Sequence, residues 1–428
     1  MTERKTSLSR ENGTIRPDGI RRGRRCHVCT GCGLCPGVGK ADSLKNVRIL
    51  TKDYLENGSQ SLENEAGLRL IAADVGTTTI AMELCSVDGS VRDVFVTVNP
   101  QIQFGRDVLS RIQAAKDPAL REQLQGEVRE ALMTGAKRFL KLLGEQERPL
   151  IVIAANTTMS YLLMGWDPEE LGHAPFHASR RSGARFFLDE EETIPCVLLP
   201  GYSAFVGGDL FAGAMACGMQ ETEKRTLLID LGTNGEILLG DRRGILATAT
   251  AAGPAFEGGA SQGVWGADLV KYVATLRREG LLDETGLLAE PYFQTGVRIG
   301  GVLLSQESVR GLQVAKAAIM AGIQILTKRA GVSLAEIDQV ILAGGFGYFL
   351  NPADAAAIGL LPASLEEKTF SGGNTALAGA KRVGARMLRD GVDETMQSFT
   401  AEAEVINLAM EPEFQERYLK AMELNPME

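Results

Sequence analysis

Residues 69–86 have the sequence RLIAADVGTTTIAMELCS. An apolar run ending in an aspartate, a Gly-Thr turn and a second apolar run predict a strand, a tight turn and a returning strand. Residues 226–240, TLLIDLGTNGEILLG, repeat this design. One such turn is ordinary hairpin chemistry, but two copies at the start of similar-sized segments predict a duplicated, two-lobed α/β fold. The copies match at three positions: Asp74 with Asp230, Gly76 with Gly232, and Thr77 with Thr233.

Helix and strand patterns follow each turn. Residues 105–115 and 120–143 have helical patterns, and 149–156 is a buried strand. In residues 305–331, apolar positions recur at helical spacing between an N-cap serine and a terminating glycine. A strand over 339–343 runs into a glycine pair, after which a new helix begins with its N-cap and a proline. The residues behind these predictions are Leu312, Ala315, Ile319, Ile323 and Leu326 for the long helix, Ser305 and Gly331 for its ends, and Asn351 and Pro352 for the new helix.

Turns of small residues at strand ends expose backbone amides and hydroxyls that suit phosphate oxygens. An aspartate at each strand end can hold Mg²⁺, mostly through waters, or orient an attacking water. A glycine pair after a strand lets a nucleobase or ribose approach the backbone, although it also serves as a simple tight turn. We therefore predict a nucleotide site with Asp74 and Asp230 as its catalytic residues. The predicted nucleotide contacts are Gly76, Thr77, Thr78, Gly232, Thr233, Asn234, Gly344, Gly345 and Lys316.

Two of the candidate side chains allow a second interpretation. Lys316 can approach the nucleotide from its helix, and Glu236 can assist near the metal. Each can equally be a surface or structural charge.

Four cysteines fall three residues apart in RRGRRCHVCTGCGLCPGVGK, residues 21–40. Thiolates suit zinc and iron–sulfur clusters, and this compact run favours one [4Fe–4S] cluster over zinc, another cluster or no metal. Two residues, rather than the three of bacterial ferredoxins, precede the last cysteine, so it completes the same cluster or serves another copy of the chain. The predicted ligands are Cys26, Cys29, Cys32 and Cys35, whereas Cys85, Cys196 and Cys217 are predicted to be buried free thiols.

Charge is distributed unevenly along the 428 residues, whose net charge is -9. Residues 1–40 carry nine basic and three acidic residues. Such an arm can contact an acidic partner or serve as a solvated tail. The acidic remainder has no stripe of basic and aromatic residues, which argues against nucleic acid. No segment has the ~20 apolar residues of a membrane span, nor is there a secretory signal, so we expect a cytoplasmic protein without a membrane partner.

Beyond these physical arguments, the motifs carry a family resemblance. Residues 74–79, 230–235 and 342–346 resemble the two phosphate motifs and the adenosine motif of actin-like ATPases. A sharper resemblance, spanning roughly 68–425, is to the ATP-dependent reductive activators of corrinoid proteins. It rests on residues 99–112, 154–165, 251–259, 314–323 and 373–380.

The resemblance implies a two-lobed, actin-like (duplicated ribonuclease H-like) α/β ATPase with a small N-terminal iron–sulfur segment. The predicted divisions are a basic cluster-binding segment 1–40, a linker 41–67, lobe I 68–223, lobe II 224–390 and a helical tail 391–428. Some relatives have a plant-type [2Fe–2S] module, which is lacking here. Others have C-terminal ferredoxin clusters, but no cysteine follows Cys217.

The implied activity is ATP-driven electron transfer that reduces a corrinoid protein from Co(II) to Co(I) for methyl transfer. It requires ATP, Mg²⁺, a [4Fe–4S] cluster and an upstream electron donor, and a homodimer is one option for assembly. The alternatives are an activator of the 2-hydroxyacyl-CoA dehydratase type, an actin-fold kinase, and a chaperone-like nucleotide switch. An activator of the dehydratase type shares one cluster between two subunits, and a kinase leaves the cysteine run without a purpose.

Overall fold

The computed structural model describes residues 70–86, 89–143, 148–232, 234–251, 266–399 and 403–428, with the backbone of Arg10–Glu11 and Thr14–Ile15. The predicted cluster ligands Cys26, Cys29, Cys32 and Cys35 lie outside the described residues, as do the predicted linker 41–67, Thr233 and most of the 251–259 motif.

The strands of the described residues are β1 (Arg10–Glu11), β2 (Thr14–Ile15), β3 (Leu70–Val75), β4 (Thr79–Cys85), β5 (Val91–Val98), β6 (Leu150–Ala155), β7 (Ala184–Phe187), β8 (Pro195–Leu198), β9 (Thr226–Leu231), β10 (Gly235–Asp241), β11 (Gly244–Thr250), β12 (Val297–Ile299), β13 (Val302–Leu304), β14 (Gln339–Ala343), β15 (Thr369–Gly373) and β16 (Ala403–Val405). The α-helices are α1 (Val108–Ala114), α2 (Pro118–Leu143), α3 (Thr157–Met164), α4 (Gly208–Ala216), α5 (Gly266–Arg278), α6 (Tyr292–Thr295), α7 (Gln306–Ala330), α8 (Gly344–Gly347), α9 (Pro352–Ala357), α10 (Thr375–Asp390), α11 (Val392–Gln397) and α12 (Phe414–Lys420).

Two six-stranded sheets share the connectivity of five strands. The sixth strand differs, because β7 pairs with β8 in the first sheet whereas β16 pairs with β11, at the opposite edge, in the second. The first has the order β5-β4-β3-β6-β8-β7 and the second the order β15-β14-β9-β10-β11-β16. In each sheet a meander of three antiparallel strands is followed by two parallel strands, so β3 corresponds to β9 and β6 to β14. The predicted duplication of a two-lobed α/β fold is therefore confirmed by the strand order. A smaller sheet has the order β1-β2-β12-β13.

The two strand–turn–strand predictions are confirmed as β3–β4 and β9–β10. In β3 and β9 the residues before the aspartate are fully buried. Both strands are central in their sheets, so each turn lies at the carboxyl end of a central, buried strand. Ligands of α/β proteins commonly bind at this edge.

The predicted helix over 305–331 is also confirmed. The side chain of Ser305 accepts a hydrogen bond from the amide of Ser308, and Gly331 ends α7 in the left-handed conformation. The five apolar positions of the pattern are buried in the core of the second lobe. By length and composition α7 could span a membrane, but most of it is enclosed within the protein, as in a core helix. Cys85 and Cys196 are buried and Cys217 is partly buried, and none of the three forms a disulfide within the described part of the chain.

Helices α4 and α10 cross between the two sheets. They contact each other so closely that a Cβ on Gly379 would lie 1.8 Å from the carbonyl oxygen of Ala212. Helix α10 directly follows β15 of the second sheet in sequence, yet it packs on β3 and β6 of the first sheet, with Gly384 against Leu70. Residues of both sheets and both helices share one apolar core. The crossing therefore joins the two lobes.

Candidate nucleotide site

The two predicted aspartates lie at equivalent strand ends. Asp74 pairs with Ala81 on one side and with Ala154 of β6 on the other. Asp230 pairs with Glu236 of β10 and with Ala343 of β14. Both carboxylates are partly buried. Sheet register alone thus places each aspartate at the edge where its turn begins.

The first turn, residues 76–78, is hydrogen-bonded from one side. The carbonyl oxygen of Gly76 accepts from the Asn99 side chain at 2.8 Å, and that of Thr78 accepts from the Asn99 amide at 2.9 Å. Between them, the carbonyl of Thr77 accepts from Arg111 at 2.6 Å. Asn99 and Arg111 are both fully buried. All three carbonyls of the turn are thus occupied by the protein interior.

A second asparagine, Asn156, contacts the first turn from the start of α3. The side chain of Asn156 donates to the hydroxyl oxygen of Thr77 at 3.1 Å, while its oxygen caps the helix by accepting from the amide of Met159 at 2.9 Å. The motifs 99–112 and 154–165, quoted above only for their resemblance, therefore have a physical role. They fix the conformation of the turn at residues 76–78.

Gly344 lies directly against Asp230, at the start of the second turn. Gly344 has φ +80°, and a Cβ on it would lie 2.6 Å from both Oδ1 of Asp230 and the carbonyl oxygen of Leu231. Only glycine fits this conformation and spacing without strain. Gly345 follows it, exposed, in α8. The predicted glycine pair thus lies directly against the second aspartate.

Four carboxylates from both lobes influence one another at this site. Asp209 lies in the first turn of α4, where its carboxylate accepts a hydrogen bond from the amide of Leu210 at 2.8 Å. The preceding Gly208 packs against the carbonyl oxygens of Ala155 and Leu199, at the carboxyl edge of the first sheet. Like charge on Asp209 raises the pKa of Asp74, of Asp230 and of Glu236. The members of this carboxylate cluster are Asp74, Asp209, Asp230 and Glu236.

Burial is the largest cause of the raised pKa values in the carboxylate cluster. Burial raises the pKa of Asp74 to about 7, and a hydrogen bond from Asn374 opposes this rise. Burial also raises the pKa of Asp230 to about 7, and the negative charges of Asp209 and Asp74 add to that rise. Burial raises the pKa of Asp209 to about 6. The pKa of Glu236 is raised well above its ordinary value, by burial and then by Asp230. Perturbed carboxylates in a cleft are typical of functional sites, and a cation there would relieve the repulsion.

Asn374 connects the second half of the chain to the first aspartate. Its side-chain nitrogen donates to Oδ2 of Asp74 at 2.7 Å, and its oxygen accepts from the amide of Leu377 at 2.8 Å as the N-cap of α10. One side chain thus caps the start of a helix and orients a carboxylate 300 positions earlier in the sequence. This contact gives the motif 373–380 its role.

The structure does not bring Lys316 to the turns. Its side chain is fully buried, and its amine donates to the carbonyl oxygens of Ala421 and Glu423 in the C-terminal segment. Burial lowers the pKa of Lys316 to about 7. The described contacts favour the structural interpretation of this lysine over nucleotide contact. Glu236, in contrast, belongs to the carboxylate cluster.

The described residues fit a nucleotide with Mg²⁺. The amides of Thr77 and Thr78, which have no hydrogen-bond partner among the described residues, suit phosphate oxygens. The carboxylate cluster suits a divalent cation. No three His, Cys, Asp or Glu side chains within the described ranges are close enough to bind one ion directly. This fits the habit of Mg²⁺ of keeping several waters and contacting proteins through one or two carboxylates.

Family models match nearly all of the described core. A model of the RACo middle region matches residues 70–222, and a model of the C-terminal, ASKHA domain of RACo matches residues 224–263 and 260–428. The chain belongs to the RACo family of reductive activators of corrinoid proteins. The expectation of an actin-like α/β fold is thereby confirmed, while ATP hydrolysis and the N-terminal iron–sulfur segment stay predictions.

Individual relatives agree with the RACo assignment. The corrinoid activation enzyme RamQ of Eubacterium limosum is 29% identical, over 84% of this chain and 71% of its own length. A solved reductive activator for a corrinoid, iron–sulfur protein has a TM-score of 0.71 and 26% identity, covering 84% of this chain and 67% of its own. The activator of 2-hydroxyisocaproyl-CoA dehydratase from Clostridium difficile is much less similar, with a TM-score of 0.37 at 11% identity.

Sequence reasoning missed several residues of this RACo-family site. Asp209 lies in the sequence VGGDL, where two glycines before an acidic helix start signal close packing, yet no spacing links it to the other aspartates. Asn99, Arg111 and Asn374 lie within quoted motifs, but their roles depend on contacts between distant segments. Such contacts are invisible without the fold.

Proposed function

We propose that this protein is an ATP-dependent reductive activator that converts a corrinoid protein from Co(II) to Co(I) for methyl transfer. The observation that carries the proposal is the pair of equivalent strand-end aspartates, Asp74 and Asp230, each beginning a matching turn of one lobe in a chain of the RACo family. An upstream electron donor and a corrinoid protein are the proposed partners.

In this proposal the two turns hold the polyphosphate. The residues involved are Gly76, Thr77 and Thr78 from the first turn and Gly232, Thr233 and Asn234 from the second, with Gly344 and Gly345 lining the adenosine pocket.

The carboxylates have distinct tasks in the proposed hydrolysis. Asp74 and Asp230 hold Mg²⁺ through waters, because their like charges need a cation at neutral pH. Asp209, at the start of α4, orients the attacking water and accepts its proton. A pKa of about 6 suits a group that is charged at pH 7 yet can take up a proton. Burial, and then the charge of Asp230, raise the pKa of Glu236 and so favour its neutral form beside the aspartates.

The reducing electron comes from the N-terminal segment in this proposal. Cys26, Cys29, Cys32 and Cys35 would hold one [4Fe–4S] cluster, which supplies a single electron when bound. For one electron, a gap of about 59 mV is a factor of ten. A gap of roughly 200 mV between donor and cobalt therefore costs roughly 4–5 kcal/mol, which nucleotide hydrolysis can supply.

The test is an anaerobic absorbance assay for Co(I), in which ATP, reductant and the protein are omitted in turn. We expect Co(I) only with all three and with the cysteine run intact. Asp230→Ala is expected to abolish ATP hydrolysis, whereas Asp93→Ala, at an exposed ion pair with Arg138 on the first sheet, retains it. Full Co(I) yield without nucleotide, or from a Cys29→Ala, Cys32→Ala double variant, would contradict the proposal. Phosphate transfer to a small molecule would favour a kinase instead.

A further inference from the structure

Arg111 is a fully buried cation behind the first turn. Its guanidinium donates to the carbonyl oxygens of Thr77 at 2.6 Å and Gly105 at 2.9 Å. It also donates to Oε1 of Gln101 and Sδ of Met159, each at 3.3 Å. All four acceptors are neutral. Within the described part of the chain, no carboxylate lies within ion-pair distance of this guanidinium, and Asp107 acts on it only through longer-range attraction. An unpaired buried charge is costly, so its retention calls for a reason.

The orientation of the 76–78 turn supplies a reason for this buried charge. In a trans peptide the C=O and N–H groups point in opposite directions. The carbonyls of Gly76 and Thr77 are bonded to Asn99 and Arg111, so the amides of the same two peptide units, those of Thr77 and Thr78, point away from the interior. Neither amide has a hydrogen-bond partner among the residues that the structure describes.

The charge of Arg111 acts on those amides through the peptide it binds. A donor on the carbonyl side of a peptide polarises it and strengthens the N–H on the other side. Burial lowers the pKa of Arg111 to about 10, so the side chain stays cationic at neutral pH. In a buried, poorly screened setting, its field extends further than it would in water.

We propose that Arg111 is a positioning residue for the triphosphate. It fixes the 76–78 turn with its amides outward and gives that turn a positive potential, without touching the nucleotide. The proposal rests on the proposed nucleotide site. It predicts that Arg111 affects binding of the phosphates and not binding of the adenosine.

The test compares Arg111→Met and Arg111→Lys with the native chain, by calorimetric titration with MgATP and with adenosine. Removing the guanidinium takes away the donor to the carbonyl of Thr77 and the positive potential behind the turn's amides. A loss of about 10–100-fold in affinity corresponds to about 1.4–2.8 kcal/mol. We expect Arg111→Met to bind MgATP about 10–100-fold more weakly with unchanged adenosine affinity, and Arg111→Lys to fall between. The matched control is Arg129→Met, which removes an arginine that donates to the carbonyl of Leu163 at 3.3 Å in the same lobe. It is expected to stay within about twofold of native affinity.

Each outcome separates the two proposals. A native chain that does not bind MgATP overturns the nucleotide site itself. A native chain that binds, together with folded Arg111 variants of native MgATP affinity, overturns only the role of Arg111, as does an equal loss of MgATP and adenosine binding. Where circular dichroism shows that Arg111→Met does not fold, Arg111→Lys decides by the same criterion.

Discussion

Replacing Asp230 with asparagine is expected to stabilise the ligand-free protein at neutral and alkaline pH. Burial and the charges of Asp209 and Asp74 raise the pKa of Asp230 from its ordinary value of 3.8 to about 7. The folded state therefore binds this proton more tightly than the unfolded state, so stability falls as pH rises from about 4 to about 7. Asparagine has nearly the same shape and no charge, so it removes this loss.

The size of the effect follows from the two pKa values. The difference between 3.8 and about 7, at about 1.4 kcal/mol per pKa unit, sets a limit of about 4 kcal/mol. The carboxylate is partly exposed, and its neighbours share the repulsion, so we expect about half of that limit. Asp230→Asn should raise the free energy of unfolding by about 2 kcal/mol at pH 8 and by almost nothing at pH 4.

The assay is urea unfolding, followed by circular dichroism between pH 4 and 8 without Mg²⁺ or nucleotide. Asp93→Asn serves as the control, because its exposed ion pair with Arg138 is worth less than about 1 kcal/mol. A gain at pH 8 that vanishes at pH 4 supports the carboxylate cluster. A gain independent of pH, or a destabilised Asp230→Asn at pH 8, would refute the reasoning. Saturating MgATP should reverse the order of stability, because the native chain then binds the cation better.

Three further changes test other parts of the site. Asn374→Ala removes the hydrogen bond that lowers the pKa of Asp74, so ATP hydrolysis at pH 7 should fall about tenfold and the acidic limb of its pH profile should move to higher pH; an unmoved limb contradicts this. Gly344→Ala would bring a Cβ within 2.6 Å of Asp230, so MgATP binding measured by calorimetry should be abolished. The control is Gly301→Ala, also at positive φ but with nothing within 4 Å of the added Cβ. It should lose about 1 kcal/mol of stability and still bind MgATP. Lys316→Met leaves two carbonyls of the C-terminal segment without their donor, so limited proteolysis should release that segment faster, while native MgATP affinity is retained.

Local patterns were sufficient to predict the elements that carry the site. The predicted strand 339–343 coincides with β14, and Asn351 caps α9 as expected, its side chain accepting from the amides of Ala353 and Asp354. The N-cap depends on hydrogen bonds two and three residues away, and the strand is recognised from its own continuous apolar run. The repeated hairpins are predictable for the same reason, since each turn is defined by its own sequence.

Contacts between distant segments account for what the sequence left open. Lys316 lies on a helix within a family motif, which suggested nucleotide contact, but its environment is set by the C-terminal residues that pack over it. Asp209 was missed because the fold of α4, not sequence spacing, brings its charge within reach of Asp230. The assignments of cluster ligands and domain boundaries stay predictions.

The crossing of α4 and α10 acts as a lever with unequal arms. At a rise of 1.5 Å per residue, about 7.5 Å of α10 separates its cap, Asn374, from the contact of Gly379 with Ala212, and about 16 Å separates that contact from Asp390. The short arm ends at Asn374 beside Asp74, and the long arm runs past Gly384, which packs on Leu70 at the amino end of β3. Any rotation of α10 about the crossing therefore moves Asp390 about twice as far as Asn374, so a small displacement beside a bound phosphate becomes a larger one at the distant end of the helix.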